Sequence, residues 1–379
     1  MDRTGTAEIP VEGLFDLDRH SGQGRLLAAG CVGRWDRYLA HVPQSLLRQL
    51  RLRTGQGIVG RAVPAVGAGQ LPRLVRVDSV DGLSPRQRCA CVPFFQATST
   101  APRRFLRLET EGRLLTTRLI DLFAPIGRGQ RGLIVAPPRS GKTILLRAIA
   151  NGIRANAEDC HLLVLLVDER PEEVTDFQRN VPAELFASSN DEPVSHHLQT
   201  AQLAFERAQN LVEAGRDVVL LLDSITRLAR AHNNGIVGHS GRTMSGGLDS
   251  QAMEKPRQLF AMARETEEIG SLTVLATALV ETGSRMDELI FQEFKGTGNW
   301  EVVLDRRAAE QRLFPAVNLQ ATGTRREELL LAPAALEAAQ RMRRALAGQR
   351  PEAALETLLS RLGKTVNNGE FVALVGGRG

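Results

Sequence analysis

Five continuous apolar runs, each about one strand long, punctuate the middle of this chain: GLIVAP (132–137), LLVLLVD (162–168), VVLLLD (218–223), LTVLATAL (272–279) and EVVLD (301–305). Unbroken apolar runs of this length fit strands covered on both faces, where no side of the pleat meets water. Amphipathic stretches such as TILLRAIANGIRAN (143–156) and AQLAFERAQNLVEAG (201–215) lie between them. Strand alternating with helix at this spacing predicts an α/β fold built on a doubly wound parallel sheet. Two further helices are expected in the tail, PAALEAAQRMRRALAG (333–348) and PEAALETLLSRLG (351–363), set apart by Gly and Pro.

The first of these runs leads into Ala136-Pro137-Pro138-Arg139-Ser140-Gly141-Lys142-Thr143, and a helical stretch follows. The segment fits G-x-x-x-x-G-K-[ST] except that Ala136 replaces the first glycine. In that pattern, backbone N–H groups and a helix N-terminus cradle phosphate oxygens. Lys142 reaches the β/γ-phosphates and the Thr143 hydroxyl binds Mg²⁺. Composition sharpens the reading. Of the 48 basic residues only Lys142, Lys255, Lys295 and Lys364 are lysine, so a lysine in this slot is selected against a strong arginine bias. Two other runs end in acids. Asp223 closes VVLLLD, where a carboxylate can hold Mg²⁺ directly or through water. Asp168-Glu169-Arg170 closes LLVLLVD, and Glu169 could orient an attacking water. Each acid alone could equally be a helix cap. Three strand ends together point to a nucleoside triphosphatase.

The front of the chain reads differently. VEGLFDL, RLLAAG, QGIVGRAV and LPRLVRVDSV are short strand-like pieces separated by Gly, Pro and Ser, with one helical patch at SLLRQLRL. Such spacing favours a small β-barrel. Residues 1–108 hold 16 arginines against eight acidic residues, a net of +8 in a chain whose total is +5. That imbalance suits a polyanion such as nucleic acid. It suits equally an arginine-rich solvated face. A transition follows at SPRQRCACVPFFQATSTAPRR. The expected organisation is a barrel over 1–85, a connector over 86–115 and an ATPase motor with C-terminal helices over 116–379. No apolar run reaches the ~18 residues of a membrane span, and MDRTGTAEIP carries no signal-peptide core. Cys31, Cys89, Cys91 and Cys160 are too few and scattered for a disulfide framework. Cys89-Ala-Cys91 has no second Cys/His pair nearby to close a zinc site. Reduced thiols and a cytoplasmic setting are expected.

Longer segments carry a family resemblance. PIGRGQRGLIVAPPRSGKT, VLLVDERPEEVTDFQRNV, LLLDSITRLARAHN, SGGLDSQAM, GSLTVLATALVETGSRMDELIFQEFKGTGN and RLFPAVNLQATGTRREELLL together resemble the bacterial transcription termination factor Rho family, from about Thr116 to Leu331. The resemblance implies a RecA-like motor with an oligonucleotide-binding barrel. It implies a homohexameric ring that uses ATP and Mg²⁺ to move along single-stranded RNA, a helicase working with RNA polymerase and its elongation factors. A RecA-like motor of the rotary or secretion type is disfavoured by TGSRMDE and FKGTGN.

Residue by residue, the resemblance makes Glu169 the catalytic carboxylate and Asp223 the metal-binding acid beside Thr143. Arg325 becomes an arginine finger supplied to a neighbouring subunit, with Arg170, Arg227 and Arg312 around the same interfacial site. Arg139, Ser140, Gly141, Lys142, Thr143 and Ile144 would bind nucleotide, with Phe314 packing on the adenine and Thr116 lining the pocket. Two loops would face RNA in the ring's channel. The first carries Arg242, Thr243, Met244, Gly246 and Gly247; the second carries Thr282, Gly283, Ser284 and Arg285.

Departures fall in two places. Arg139 stands where the family has a second lysine, replacing a point charge by a planar fork. In the barrel, Gln23 and Arg25 replace two Phe, His41 replaces a Tyr, and Leu71 falls at another aromatic position. Base-stacking platforms, at ~1–3 kcal/mol per base, are thereby thinned to Tyr38 and Trp35. The barrel is then expected to bind RNA through Arg25, Tyr38 and His41 by charge and Arg or His stacking. The helical subdomain that precedes the barrel in the family is not expected here. The alternative to a terminating translocase is a divergent paralogue with a weakened primary RNA site, regulating another Rho or binding a protein.

Overall fold

The computed structural model describes residues 7–18, 21–28, 37–65, 67, 69–111, 114–235 and 247–376. Strands β1 (Ile9–Leu17), β2 (Gly24–Ala28), β3 (Tyr38–Val42), β4 (Gly57–Val63) and β5 (Arg73–Val80) close into a barrel in the order β1-β2-β3-β5-β4. Helix α1 (Gln44–Leu50) joins β3 to β4. Alternate positions point inward, and Val11, Phe15, Leu26, Ala40, Val42, Ile58, Ala62 and Leu74 form the barrel's own core. Strand β3 was missed in the sequence because YLAHV is short and its flank is polar.

The segment expected to be a connector is packed. Ser84 and Gln87 form a reciprocal capping box that starts α2 (Pro85–Cys89). Phe94, Leu106 and Leu108 are buried, and β6 (Ser99–Thr100) pairs antiparallel with β11 (Glu265–Thr266). The barrel is also bound to the α/β domain by buried charge. Asp81 accepts from Arg88 Nε and Arg207 Nη1, both at 2.9 Å. Glu213 accepts from Arg53, from Arg88 Nη2 at 3.0 Å and from the Phe94 N–H at 2.9 Å.

The sheet of the α/β domain has seven strands in the order β14-β13-β7-β12-β10-β8-β9. These are β7 (Arg131–Ala136), β8 (His161–Glu169), β9 (Glu184–Ser189), β10 (Val218–Asp223), β12 (Leu272–Leu279), β13 (Trp300–Val303) and β14 (Gly323–Thr324). All neighbouring pairs are parallel except β13–β14. The apolar runs therefore became central strands as expected. The edge strand β9, ELFASS, is half polar and carried no such signal.

Helices α3 (Leu115–Phe123), α4 (Lys142–Asn156), α5 (Pro171–Asn180), α6 (Val194–Glu213), α7 (Ile225–Gly235), α8 (Glu254–Phe260), α9 (Arg285–Lys295) and α10 (Arg306–Glu310) connect and cover the sheet. The tail holds α11 (Pro333–Leu346), α12 (Pro351–Gly363) and α13 (Asn368–Gly376), one helix more than the sequence suggested. Arg118 on α3 is fully buried and locks that tail. Its guanidinium donates to the carbonyls of Leu362, Thr365 and Asn367 and to Asn368 Oδ1 at 2.8–3.1 Å.

The strand order positions the site. β7 and β8 follow one another in sequence, yet β12 and β10 lie between them in the sheet. The C-terminal ends of β7, β10 and β8 therefore open into one crevice, where ligands bind in open α/β sheets.

Candidate nucleotide site at the ends of the central strands

The phosphate loop leaves β7 at Ala136 and enters α4 at Lys142. Gly141 has φ +92°, a conformation that a side chain resists. A Cβ there would also come within 3.5 Å of the Phe314 ring. Ser140 is buried and donates to the Pro137 carbonyl at 2.7 Å, closing the turn. The free N–H groups of α4's first turn face the crevice end of the sheet, as an anion requires.

Lys142 Nζ lies 2.7 Å from Asp223 Oδ1 and 3.3 Å from Glu169 Oε2, so one ammonium is shared by two buried acids. Burial pushes the lysine down, but Asp223, Glu169 and Glu173 outweigh it and hold it above its ordinary value. Burial raises the Glu169 carboxyl, with Lys142 pulling against it and Asp223 reinforcing it. Asp223 Oδ1 also accepts from the Thr277 hydroxyl of β12 at 2.7 Å. Its second oxygen, Oδ2, is buried without a hydrogen-bond partner among the described residues. An orphaned carboxylate oxygen beside a phosphate loop suits a hydrated Mg²⁺, so the donor set of Asp223 and the Thr143 hydroxyl fits that ion.

Thr143 Oγ1 donates to Glu173 Oε2 at 3.2 Å. Arg227 on α7 sets Nη2 3.4 Å from Glu169 Oε1 and Nη1 3.7 Å from Asp168 Oδ2. The Arg170 N–H donates to Glu169 Oε1 at 3.2 Å, while its side chain stays exposed at the cap of α5. Arg139, at φ +64°, and Ile144 are exposed on the loop and on α4. Phe314 is 44% exposed beside Gly141, and Arg312, at φ +62°, precedes it by two residues. Sequence reading missed Glu173 and Thr277. Glu173 lies in the first turn of α5, four residues after the end of β8, and Thr277 is one of two hydroxyls inside the apolar strand β12.

The other expected residues lie on α3, beside β14 and at the turn into α9. Thr116 is buried in α3, which packs on α4. Arg325 is exposed next to β14, with its N–H on the Asn299 carbonyl at 2.9 Å. Thr324 pairs with Trp300, which pairs with Gly132 at the start of β7. Arg325 is thus about four residues, roughly 13 Å, from the phosphate end of its own sheet. Thr282, Gly283, Ser284 and Arg285 form the turn into α9, where Ser284 caps Asp287. Gly247 approaches that turn: a Cβ on it would be 3.8 Å from Met286 Cε. Arg242, Thr243, Met244 and Gly246 lie outside the described residues, as do Cys31 and Trp35.

In the barrel, Arg25 and His41 are direct cross-strand partners, and the Arg25 guanidinium covers the Tyr38 ring at 4.8 Å. Tyr38 packs towards the cluster formed by Leu14, Leu27 and residues of the α/β domain. One face of the ring that could stack on a base is therefore taken by Arg25.

Strand, phosphate loop, helix and two strand-end acids define the nucleotide-binding domain of a RecA-like P-loop ATPase. Residues 116–322 match the ATP synthase alpha/beta family, nucleotide-binding domain. Solved structures share the fold. A type III secretion system ATPase aligns at TM-score 0.61 and 24% identity over 73% of this chain and 86% of that one. The ATPase EscN from enteropathogenic E. coli aligns at 0.61 and 18% over 97% of each. Closer relatives are transcription termination factors Rho. That of Streptomyces lividans is 50% identical over 96% of this chain and 51% of its own length. That of Pseudomonas aeruginosa is 49% identical over 87% and 80%, and that of Mycobacterium leprae 50% over 97% and 60%. The chain belongs to the transcription termination factor Rho family. It spans about half the length of the Streptomyces relative.

Proposed function

We propose that the chain is an ATP-hydrolysing, RNA-stimulated translocase of a hexameric ring that terminates transcription by moving along nascent single-stranded RNA. Family membership supports the RNA and termination part of this reading. The observation that carries the chemistry is the single ammonium of Lys142 held between Asp223 and Glu169.

That ammonium neutralises both acids at once. An incoming triphosphate competes for it, and Lys142 swings onto the β/γ oxygens together with the N–H groups of the loop. Asp223 and Thr143 would hold Mg²⁺, which supplies charge neutralisation on the phosphates. Glu169 then loses its nearest cation, and its burial leaves it a stronger proton acceptor for the attacking water. Arg227 keeps Glu169 oriented from the other side. Phe314 offers an exposed face to the adenine. Arg325 is too far along the sheet to serve its own phosphate loop, which favours its acting on a neighbour's nucleotide across a ring seam.

The test is hydrolysis of ATP by the purified chain with a panel of RNA homopolymers. Turnover stimulated by RNA and abolished in Glu169→Ala is the expected outcome. Negligible hydrolysis indifferent to every RNA would overturn the reading.

A further inference from the structure

Helix α7 makes polar contacts from three residues spaced three apart, and each goes to a different functional segment. Arg227 reaches Glu169 and Asp168 at 3.4 and 3.7 Å. Three residues on, Arg230 grips Asp287 through Nε at 2.8 Å and through Nη2. Asp287 is fully buried, and its Oδ2 also accepts from the Thr282 hydroxyl at 2.6 Å. Three residues further, Asn233 donates to the Gly247 carbonyl at 3.3 Å and accepts from the Asp249 N–H at 2.8 Å. At 1.5 Å per residue the stripe from Arg227 to Asn233 spans only about 9 Å. The same helix is tied to the strand that carries the second loop: the Leu279 N–H donates to the buried Thr226 hydroxyl at 2.9 Å.

We infer that α7 is the element that carries the state of the hydrolytic acids to both channel loops, with Arg230 and Asn233 as its positioning residues. The inference rests on the proposed RNA-stimulated hydrolysis. Its physical content is simple. Displacement of α7 with Glu169 would carry the base of Thr282–Arg285 through the bidentate Arg230–Asp287 pair, and Gly247 and Asp249 through Asn233. The bidentate Arg230–Asp287 pair resists shear better than a single bond. Its acceptor is fully buried, so the pair cannot be exchanged for water without exposing the base of α9. A capping role for α9 alone would need only Ser284, which already accepts from the Asp287 N–H.

The experiment measures ATP turnover of the full chain over a range of poly-C concentrations for wild type, Arg230→Ala, Arg230→Lys and Asn233→Ala. The expected result is basal turnover within about twofold of wild type and RNA-saturated turnover lowered about tenfold in Arg230→Ala. A change of that size is within what residues linking two sites produce. The RNA concentration at half-saturation should stay within about threefold, and Arg230→Lys, which keeps the charge without the fork, should recover part of the loss. Asn233→Ala should show a smaller fall of the same kind. Three outcomes overturn the inference: RNA stimulation intact in both alanine variants, basal and stimulated turnover falling together, or weakened RNA affinity with full turnover at saturation. Failure of the wild type to respond to any RNA would instead overturn the proposed function.

Discussion

The ammonium of Lys142 is placed where two carboxylates would otherwise repel each other, and that arrangement sets the acid–base behaviour of the site. Burial lifts Glu169 above the ordinary carboxylate value near 4.5, and Lys142 partly offsets the rise. On the proposed mechanism, hydrolysis needs Glu169 ionised, so turnover is lost as pH falls through a raised pKa. The acid limb of the kcat/KM–pH profile, which reports the free enzyme, is expected above pH 4.5, with Glu169 the titrating group. A limb at or below that value would refute the assignment. At this scale the sequence spoke clearly only where spacing enforces geometry. Lys142, Thr143 and Asp223 were legible because a phosphate loop and a strand-end acid repeat a fixed pattern. Glu173 and Thr277 were not, since their partners are 30 and 54 residues away and meet only through the sheet order. Arg227 and Arg325 were chosen from 44 arginines by family resemblance, because nothing in charge alone distinguishes them.

Elements followed the apolar pattern when they were central strands of the large sheet and escaped it when they were short or at its edge. β7, β8, β10 and β12 are buried on both faces and read as uninterrupted apolar runs, whereas β3 and β9 sit beside polar or irregular neighbours. α13, from Asn368, was missed because its first residues are polar and its docking depends on Arg118, a long-range partner. The same neighbourhood holds a pH-sensitive group. Burial raises the Asp121 carboxyl of α3 to about 7 from an ordinary value near 3.8, against the N–H groups of Glu109 and Leu108 that favour its ionised form. The folded protein therefore binds a proton that the unfolded chain has released between those two values. Wild-type stability should fall as pH rises from 4 to about 7 and level off above it. Asp121→Asn, neutral throughout, should gain ~2 kcal/mol relative to wild type between pH 5 and pH 8. Urea denaturation at the two pH values checks this; a constant difference would exclude a raised Asp121.

At the scale of the whole molecule, the barrel and the α/β domain are packed together over the described residues. Leu14 and Leu27 of the barrel join an apolar cluster of the α/β domain, and Arg53, Asp81 and Arg88 meet Arg207 and Glu213 of α6. Such buried pairs add little net stability, but removing one partner costs about 3–5 kcal/mol, so they fix orientation. The sequence revealed the two parts and not this weld. Reading 84–104 as a connector followed from its Pro, Ser and Thr content, while Arg88 and Phe94 inside it are buried. The assembly expected of the ring can be checked by mixing. Subunits carrying Glu169→Ala and subunits carrying Arg325→Ala should each be inactive alone. Together they should recover measurable hydrolysis, because some seams then pair an intact phosphate site with an intact Arg325. No recovery at any ratio would place Arg325 outside the neighbour's site.

The sheet puts Arg325 and the phosphate loop of one chain at opposite ends of β7 and β13. If each nucleotide is finished by an arginine from next door, a lone chain holds two half-sites and no whole one. Specific activity would then rise with protein concentration even at saturating ATP. Dilution would silence the enzyme while every subunit remained folded and able to hold its nucleotide.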